Sequence, residues 1–302
     1  MTTDLARLLA LSPGLAKALK GVQRAARVDA PVLLLGEAGS GRSTLARALH
    51  FAGDRALGPL VELDPGTVPV ELFESDLFGY RSGAFTGAER DRLGKVARAE
   101  GGTLILDHLE ALPLQVQPKL LRLLAERRYA PLGGAEVECD VRFVAIAGGD
   151  LRQRVEAGAF RGDLFFRLGV LAFEIPPLRQ RRDEILQIAD GVLADLAERL
   201  GRPKPRLASA TADWMERHGW PGNLTELRAI LERGLILSRH DPLEIPPPAN
   251  LTSPVPRALV EVEREEILRA LAYTRGRQGK AAELLGVSRK TLWEKRKRHG
   301  IP

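Results

Sequence analysis

The chain has 302 residues, 44% hydrophobic and 28% charged, an ordinary globular balance with length for two or three domains. Its net charge is +6, and its single cysteine, Cys139, excludes an internal disulfide and a cysteine-built metal site. The five histidines show no paired ligand spacing, Asp4 and Arg7 interrupt any signal peptide, and the longest apolar runs, such as residues 32–35, are too short to span a bilayer, so a cytoplasmic protein with no membrane contact is expected.

Residues 31–35 read as a buried strand, followed by a glycine-rich turn and a helix over 43–50. Further apolar strands cover 103–106, ending in Asp107, and 141–147, ending in Gly148-Gly149-Asp150. Between them, 114–126 carries apolar residues at helical spacing. Continuous apolar strands alternating with helices predict an α/β fold with a parallel sheet covered on both faces. After 175–178 the strand signal stops. Residues 182–237 are mostly helical in pattern, broken at Gly201-Arg202-Pro203 and Trp220-Pro221-Gly222, which predicts a small helical subdomain. Six prolines, at 242, 246, 247, 248, 254 and 256, exclude helix and predict a stiff extended linker. An amphipathic helix over 260–273 and two short helices over 279–285 and 288–299 complete the chain. The expected organisation is an α/β unit over 1–178, a helical subdomain over 179–240, a linker over 241–256 and an all-α domain over 257–302.

Gly36-Glu37-Ala38-Gly39-Ser40-Gly41-Arg42-Ser43-Thr44 follows a strand and opens a helix, the context of a P-loop. Glycines there turn backbone N–H groups into one concavity at a helix N-terminus, which binds phosphate. ATP is the expected ligand. Ser43 (or Thr44) offers a hydroxyl, and Asp107 a carboxylate, to Mg2+. The usual lysine of such a loop is Arg42, a planar fork rather than a compact point charge. The residue after Asp107, where a water-activating carboxylate is expected, is His108. An imidazole can accept a proton, but the simpler expectation is that the base is lost.

Residues 257–302 carry twelve Lys/Arg against six Asp/Glu, which equals the net charge of the whole chain. Within them Ala281 and Ala282 permit close helix crossing, Gly286 allows a turn, Ser288 is a good N-cap and Leu292 faces the core. Ser288, Arg289, Lys290, Thr291, Trp293, Lys295 and Arg296, with Lys297 and Arg298, then lie on or near a recognition helix. Its first residues are expected to reach base edges of double-stranded DNA and the later ones to meet phosphates. Val260, Ile267, Leu268 and Leu271 supply either a dimer face or the core of this domain.

Together these features resemble the AAA+ activators of sigma-54 RNA polymerase, the bacterial enhancer-binding proteins, over almost the whole chain. The most specific motif is Gly83-Ala84-Phe85-Thr86-Gly87-Ala88, supported by residues 74–79, 101–103, 160–168 and 220–223. The resemblance implies an AAA+ P-loop sheet with a helical lid and a Fis-type helix-turn-helix. It further implies a hexameric ring, a sigma-54 contact by Gly83 to Ala88, and arginine fingers at Arg161 and Arg167 that complete the neighbouring subunit's site. The family pattern begins almost at once, so no receiver or sensor domain is expected ahead of it. The departures fall on the groups a subunit contributes to its own site. Arg42 stands for lysine, His108 for the catalytic glutamate, Asp64 for the asparagine that holds it, Gly148 for the sensor I asparagine and Thr225 for the sensor II arginine. The groups offered outward, Phe85 and the two arginines, are intact. The expectation is therefore a nucleotide-binding regulator, weak or inactive in hydrolysis, in a ring with itself or a related activator. A fully hydrolysing activator and a DNA-binding repressor that no longer uses sigma-54 are the alternatives, the latter disfavoured by the intact loop.

Overall fold

The computed structural model describes residues 4–238, 240–248, 267–268, 270–271, 274 and 277–299, in two compact units that divide after Pro247. The strands in chain order are β1 (Val32–Gly36), β2 (Leu60–Leu63), β3 (Gly79–Tyr80), β4 (Arg92–Leu93), β5 (Thr103–Leu106), β6 (Arg128–Tyr129), β7 (Val137–Glu138), β8 (Arg142–Ala147) and β9 (Leu171–Ile175). Five of them form one parallel sheet in the order β2-β5-β8-β1-β9, with Val32 level with Val144 of β8 and Leu171 of β9. The continuous apolar runs arise because both faces are covered. Leu33, Leu35, Leu104 and Leu106 pack with Phe73, Leu120 and Leu164 from the helices Val70–Phe78, Gln117–Glu126 and Gly162–Leu168. Val32, Leu34, Ile105, Val144 and Ile146 pack on the other face with Leu45 and Leu49 of the helix Arg42–Phe51 and with Leu5, Leu19 and Val22 near the N-terminus.

The strand expectations over 31–35, 103–106 and 141–147 correspond to β1, β5 and β8. The two edge strands, β2 and β9, carry no such pattern. β9 alternates half-buried and exposed residues up to Ile175, as an edge strand with one covered face does.

The helical subdomain is built from Ile185–Arg199, Ser209–Arg217 and Asn223–Leu237 around the buried Trp220, Leu193 and Leu231. The proline-rich stretch expected to be linker from residue 241 begins as part of this subdomain. Leu243 N–H donates to Arg206 O at 2.7 Å, Ile245 N–H to Thr211 Oγ1 at 2.9 Å, and Trp214 Nε1 to Ile245 O at 2.8 Å. Leu243 and Ile245 are buried in the same core, because an apolar residue between prolines can dock as an extended strand where it cannot form a helix. Residues 249–256 lie outside the described residues.

In the second unit, Gln278–Leu284 and Arg289–Arg298 are joined through Gly286 at φ 63°, a left-handed turn that suits glycine. Ile267, Ala270, Ala281, Ala282 and Leu292 form its core. Ile267 therefore serves this core and Leu271 packs against it, whereas Leu268 is exposed. Val260 lies outside the described residues. Among the described residues no helix is long and apolar enough to cross a membrane.

His50 is 1% exposed, and its Nδ1 lies 2.9 Å from Thr103 Oγ1. Burial, with the nearby Arg142 charge, pulls its pKa below the usual imidazole value. The native state thus disfavours protonation, so its stability is full above pH 6.5 and falls below it, by at most about 1.4 kcal/mol per pH unit from this group. A smaller fall in Tm between pH 7.5 and 5.5 for His50→Gln than for the parent chain is expected; equal falls refute the assignment.

Candidate nucleotide and DNA sites

β1 delivers the chain into the phosphate loop at the C-terminal edge of the sheet, where ligands of parallel α/β folds lie. Gly39 (φ 74°) and Gly41 (φ 103°) adopt left-handed backbone, and Gly41, which has no side chain to cap with, opens the helix Arg42–Phe51 at the loop. Two polar groups of the loop are buried without a hydrogen-bond partner: Ser40 Oγ, in a residue 2% exposed, and Arg42 Nη1, in a residue 7% exposed. Buried donors of this kind are costly unless satisfied, so the loop fits an anion.

Ser43 Oγ donates to Asp107 Oδ2 at 2.9 Å, which brings the hydroxyl and carboxylate expected to hold Mg2+ together. Asp107 Oδ1 accepts the His108 N–H at 2.8 Å. His108 itself has φ 47°, and its Nδ1 lies 2.9 Å from Asp64 Oδ2 but 3.8 Å from Asp107 Oδ1. Asp64, just after β2, also accepts the Gly66 N–H through Oδ1 at 2.8 Å. Two of the altered positions thus form one bonded pair across neighbouring strand ends. At the end of β8, Gly148 N–H donates to Glu110 Oε2 at 3.1 Å.

The lid is tied directly to the loop. Asn223, buried and left-handed at φ 50°, donates through Nδ2 to Ala38 O at 3.0 Å and to Glu37 Oε2 at 3.3 Å, while its Oδ1 accepts Leu178 N–H at 2.7 Å. Leu224 N–H donates to Gly39 O at 2.9 Å. Arg179 grips Glu37 with two nitrogens, Nη1 to Oε2 at 2.6 Å, and this bond holds the Glu37 carboxyl below its usual pKa. A Cβ on Gly39 would stand 2.4 Å from Gly222 O and 3.0 Å from Thr225 Oγ1, so the glycine is required for lid contact as well as for turn geometry. Beside this contact a cavity of about 350 Å³ opens between the N-terminal helices and the lid, lined by Leu11, Leu15, Arg181, Ile188, Val192 and Leu224. Arg181 is buried there, with Nε and Nη2 lacking hydrogen-bond partners.

The segment from Gly83 to Ala88 is closed on itself. Gly83 N–H donates to Ala88 O at 2.8 Å and Ala88 N–H to Phe85 O at 3.0 Å, with Gly83 and Gly87 left-handed and Ala88 buried. Ala84 N–H donates to Arg81 O, and Thr86 is exposed. Phe85 is 44% exposed and leans edge-on against Tyr80, ring centroids 4.9 Å apart. Arg161 is ion-paired with Asp163 at 2.8 Å within its own chain and remains half-exposed, and Arg167 Nη2 donates to Leu124 O at 3.1 Å.

In the C-terminal unit Ser288 Oγ accepts the Thr291 N–H at 3.1 Å and caps the helix Arg289–Arg298. Arg289 and Lys290 are exposed, Thr291, Lys295 and Arg296 half-buried, and Trp293 is 56% exposed with Lys297 Nζ 5.5 Å from its ring centroid. The Arg289 guanidinium lies against the first helix, where a Cβ on Gly279 would stand 2.5 Å from its Nη2.

Comparison with known proteins matches the sigma-54 interaction domain to residues 8–174, the AAA+ ATPase lid domain to 179–247 and the bacterial regulatory protein Fis family to 258–299. The alginate biosynthesis transcriptional regulatory protein AlgB of Pseudomonas aeruginosa is 38% identical over 300 residues, covering 96% of this chain and 67% of that protein. The chain belongs to the sigma-54-dependent transcriptional regulators. The C4-dicarboxylate transport regulator DctD of Rhizobium meliloti is likewise 38% identical over 297 residues, 97% of this chain and 64% of that one, so this chain spans about two thirds of the length of such relatives. Among solved structures, NtrX of Brucella abortus superposes with a TM-score of 0.74 at 29% identity over 98% of this chain and 71% of that one, and it has also been solved with ADP and with ATP.

For a member of these regulators, the glycine loop and Asp107 were open to motif reading because they are contiguous signals. Arg179, Glu110 and the ties of Asn223 were not, because each acts on residues 38 to 186 positions away. The one local cue was Asn223 following Trp220-Pro221-Gly222.

Asn223→Ala leaves Leu178 N–H and Ala38 O unsatisfied and forces alanine into left-handed backbone. A loss of about 3 kcal/mol in denaturant unfolding is expected. A loss below about 1 kcal/mol means that the lid does not depend on this tie.

Proposed function

We propose that the chain is a sigma-54-contacting, DNA-binding transcription regulator whose AAA+ module binds nucleotide with little or no ATP hydrolysis, working in a mixed ring with a catalytically intact relative. The observation that carries this reading is the Asp64–His108 pair at 2.9 Å, which turns the residue expected to activate water toward a neighbouring carboxylate. Phosphates would take the orphaned Ser40 and Arg42 donors and the N–H groups of the loop, and Ser43 and Asp107 would hold Mg2+, which prefers one or two carboxylates plus phosphate oxygens. The apolar cavity beside Leu224 suits the base. Arg161 and Arg167 would serve the neighbour's site, and Phe85 and Thr86 would touch sigma-54.

Turnover by the purified protein is expected to fall at least about a hundredfold below an active relative. Comparable turnover that Asp107→Asn abolishes would sink this half of the proposal. In a ring mixed with an active relative, Arg161→Ala is expected to lower the relative's ATPase rate; an unchanged rate removes the mixed-ring reading.

The same pair favours a second reading, since a carboxylate on Nδ1 can orient an imidazole to accept a proton at Nε2. It predicts substantial hydrolysis that His108→Ala destroys, which the turnover assay separates from the first.

Arg289, Lys290 and Trp293, exposed at the start of the capped helix, are the side chains proposed to reach base edges, with Ser288 and Thr291 at the cap and Lys295 and Arg296 towards the backbone phosphates. Arg289→Ala is expected to weaken specific binding by about 1–3 kcal/mol in a gel shift with the cognate site. No loss means that the assignment of this helix is wrong.

A further inference from the structure

β8 lies between β1 and β5 in the sheet, so Gly148 at its end stands between the phosphate loop after β1 and Asp107 after β5. Ligands of such sheets lie in the crevice outside the strand ends, so a phosphate chain held at the loop after β1 has the end of the neighbouring β8 beside it. What the chain presents there is negative. Glu110 is half-buried with its Oε2 on the Gly148 N–H. A Cβ on residue 148 would stand 2.8 Å from Asp150 Oδ1 and 3.3 Å from Glu110 Oε1, so two carboxylates converge on the space that a side chain at 148 would fill. Gly148 contributes only its N–H, and Glu110 already uses it. Arg154 pairs with Asp150 at 3.1 Å and donates to the Glu110 backbone carbonyl at 3.3 Å, but among the described residues no cation is ion-paired with the Glu110 carboxylate itself. On the loop side the arrangement is reversed: Ser40 Oγ and Arg42 Nη1 are buried donors awaiting an anion.

Resting on the nucleotide reading above, we propose that this site selects a nucleoside diphosphate over the triphosphate, with Glu110 as the residue that sets the choice. The loop attracts the first phosphates, and the Glu110 carboxylate beside Gly148, with one Arg154 for two carboxylates, repels a third. Selectivity comes from a repulsive element against the longer ligand rather than from an added contact to the shorter one. The altered glycine and the carboxylate next to it act as one unit. The site then holds a diphosphate-bound state without having to hydrolyse anything.

The test is calorimetric titration of the full chain with ADP and with ATP in magnesium-free buffer, repeated for Glu110→Gln and Asp150→Asn. ADP is expected to bind about tenfold tighter than ATP or more. Glu110→Gln, isosteric but uncharged, is expected to bring the ratio within about threefold by strengthening ATP while leaving ADP affinity and the nucleotide-free unfolding curve unchanged. Asp150→Asn is expected to shift the ratio in the same direction by less, and serves alone if Glu110→Gln does not fold. Equal binding, tighter ATP binding, or a ratio that neither variant changes overturns the inference while leaving the nucleotide reading intact. Binding of neither nucleotide overturns both.

Discussion

The junction of the phosphate loop with the lid is built on Asn223. This one side chain joins three pieces of chain that are distant in sequence: the loop through Ala38 O and Glu37, the connection out of the sheet through Leu178 N–H, and the first turn of the lid helix to which it belongs. The buried amide makes these bonds only from left-handed backbone, for which asparagine pays less than most residues. Arg179 on Glu37 and Leu224 N–H on Gly39 O extend the tie on either side. The lid therefore rests on the backbone of the loop, so a change in the loop's conformation must alter the lid's hydrogen bonds and the reverse must also hold.

Around that frame the positions that depart from the resemblance touch one another or their neighbours. Asp64 and His108 are hydrogen-bonded to each other. Gly148 leaves room that Glu110 and Asp150 approach. Thr225 Oγ1 lies by Gly39, where only a residue without Cβ fits. Arg42 is the exception, with its Nη1 buried and unpartnered, and the sheet behind these positions keeps a fully buried core on both faces. The result is a site with two buried, unpartnered donors in the glycine loop, a bonded Ser43–Asp107 pair, and carboxylates gathered at the end of β8.

The outward-facing groups follow a different logic. Phe85 is held at a short hydrogen-bonded turn against Tyr80, and Arg161 is balanced by Asp163 while half-exposed. Exposed aromatic and arginine side chains of this kind carry much of the energy of protein interfaces. In the other unit, small residues at 281 and 282 let the two helices cross closely, and Leu292 anchors the second from beneath, so that Arg289, Lys290 and Trp293 are exposed while Lys295 and Arg296 stay half-buried.

Much was legible in the sequence because it depends on neighbours along the chain. The buried strands β1, β5 and β8 announce themselves as unbroken apolar runs, the glycine loop as a strand-to-helix turn, and the recognition helix as a glycine, a serine cap and a basic run. The edge strands β2 and β9 did not, since half-covered strands carry only a weak pattern. Nor did the docking of Leu243 and Ile245, because proline density signals the absence of helix and says nothing of what an extended segment lies against. Residue identity alone determined which groups exist: a guanidinium at 42, an imidazole at 108, no side chain at 148. Which of them meet was decided only by the tertiary structure, because hydrogen bonds and charge act over a few ångströms of space and the sheet brings β2, β5 and β8 side by side from positions some forty residues apart.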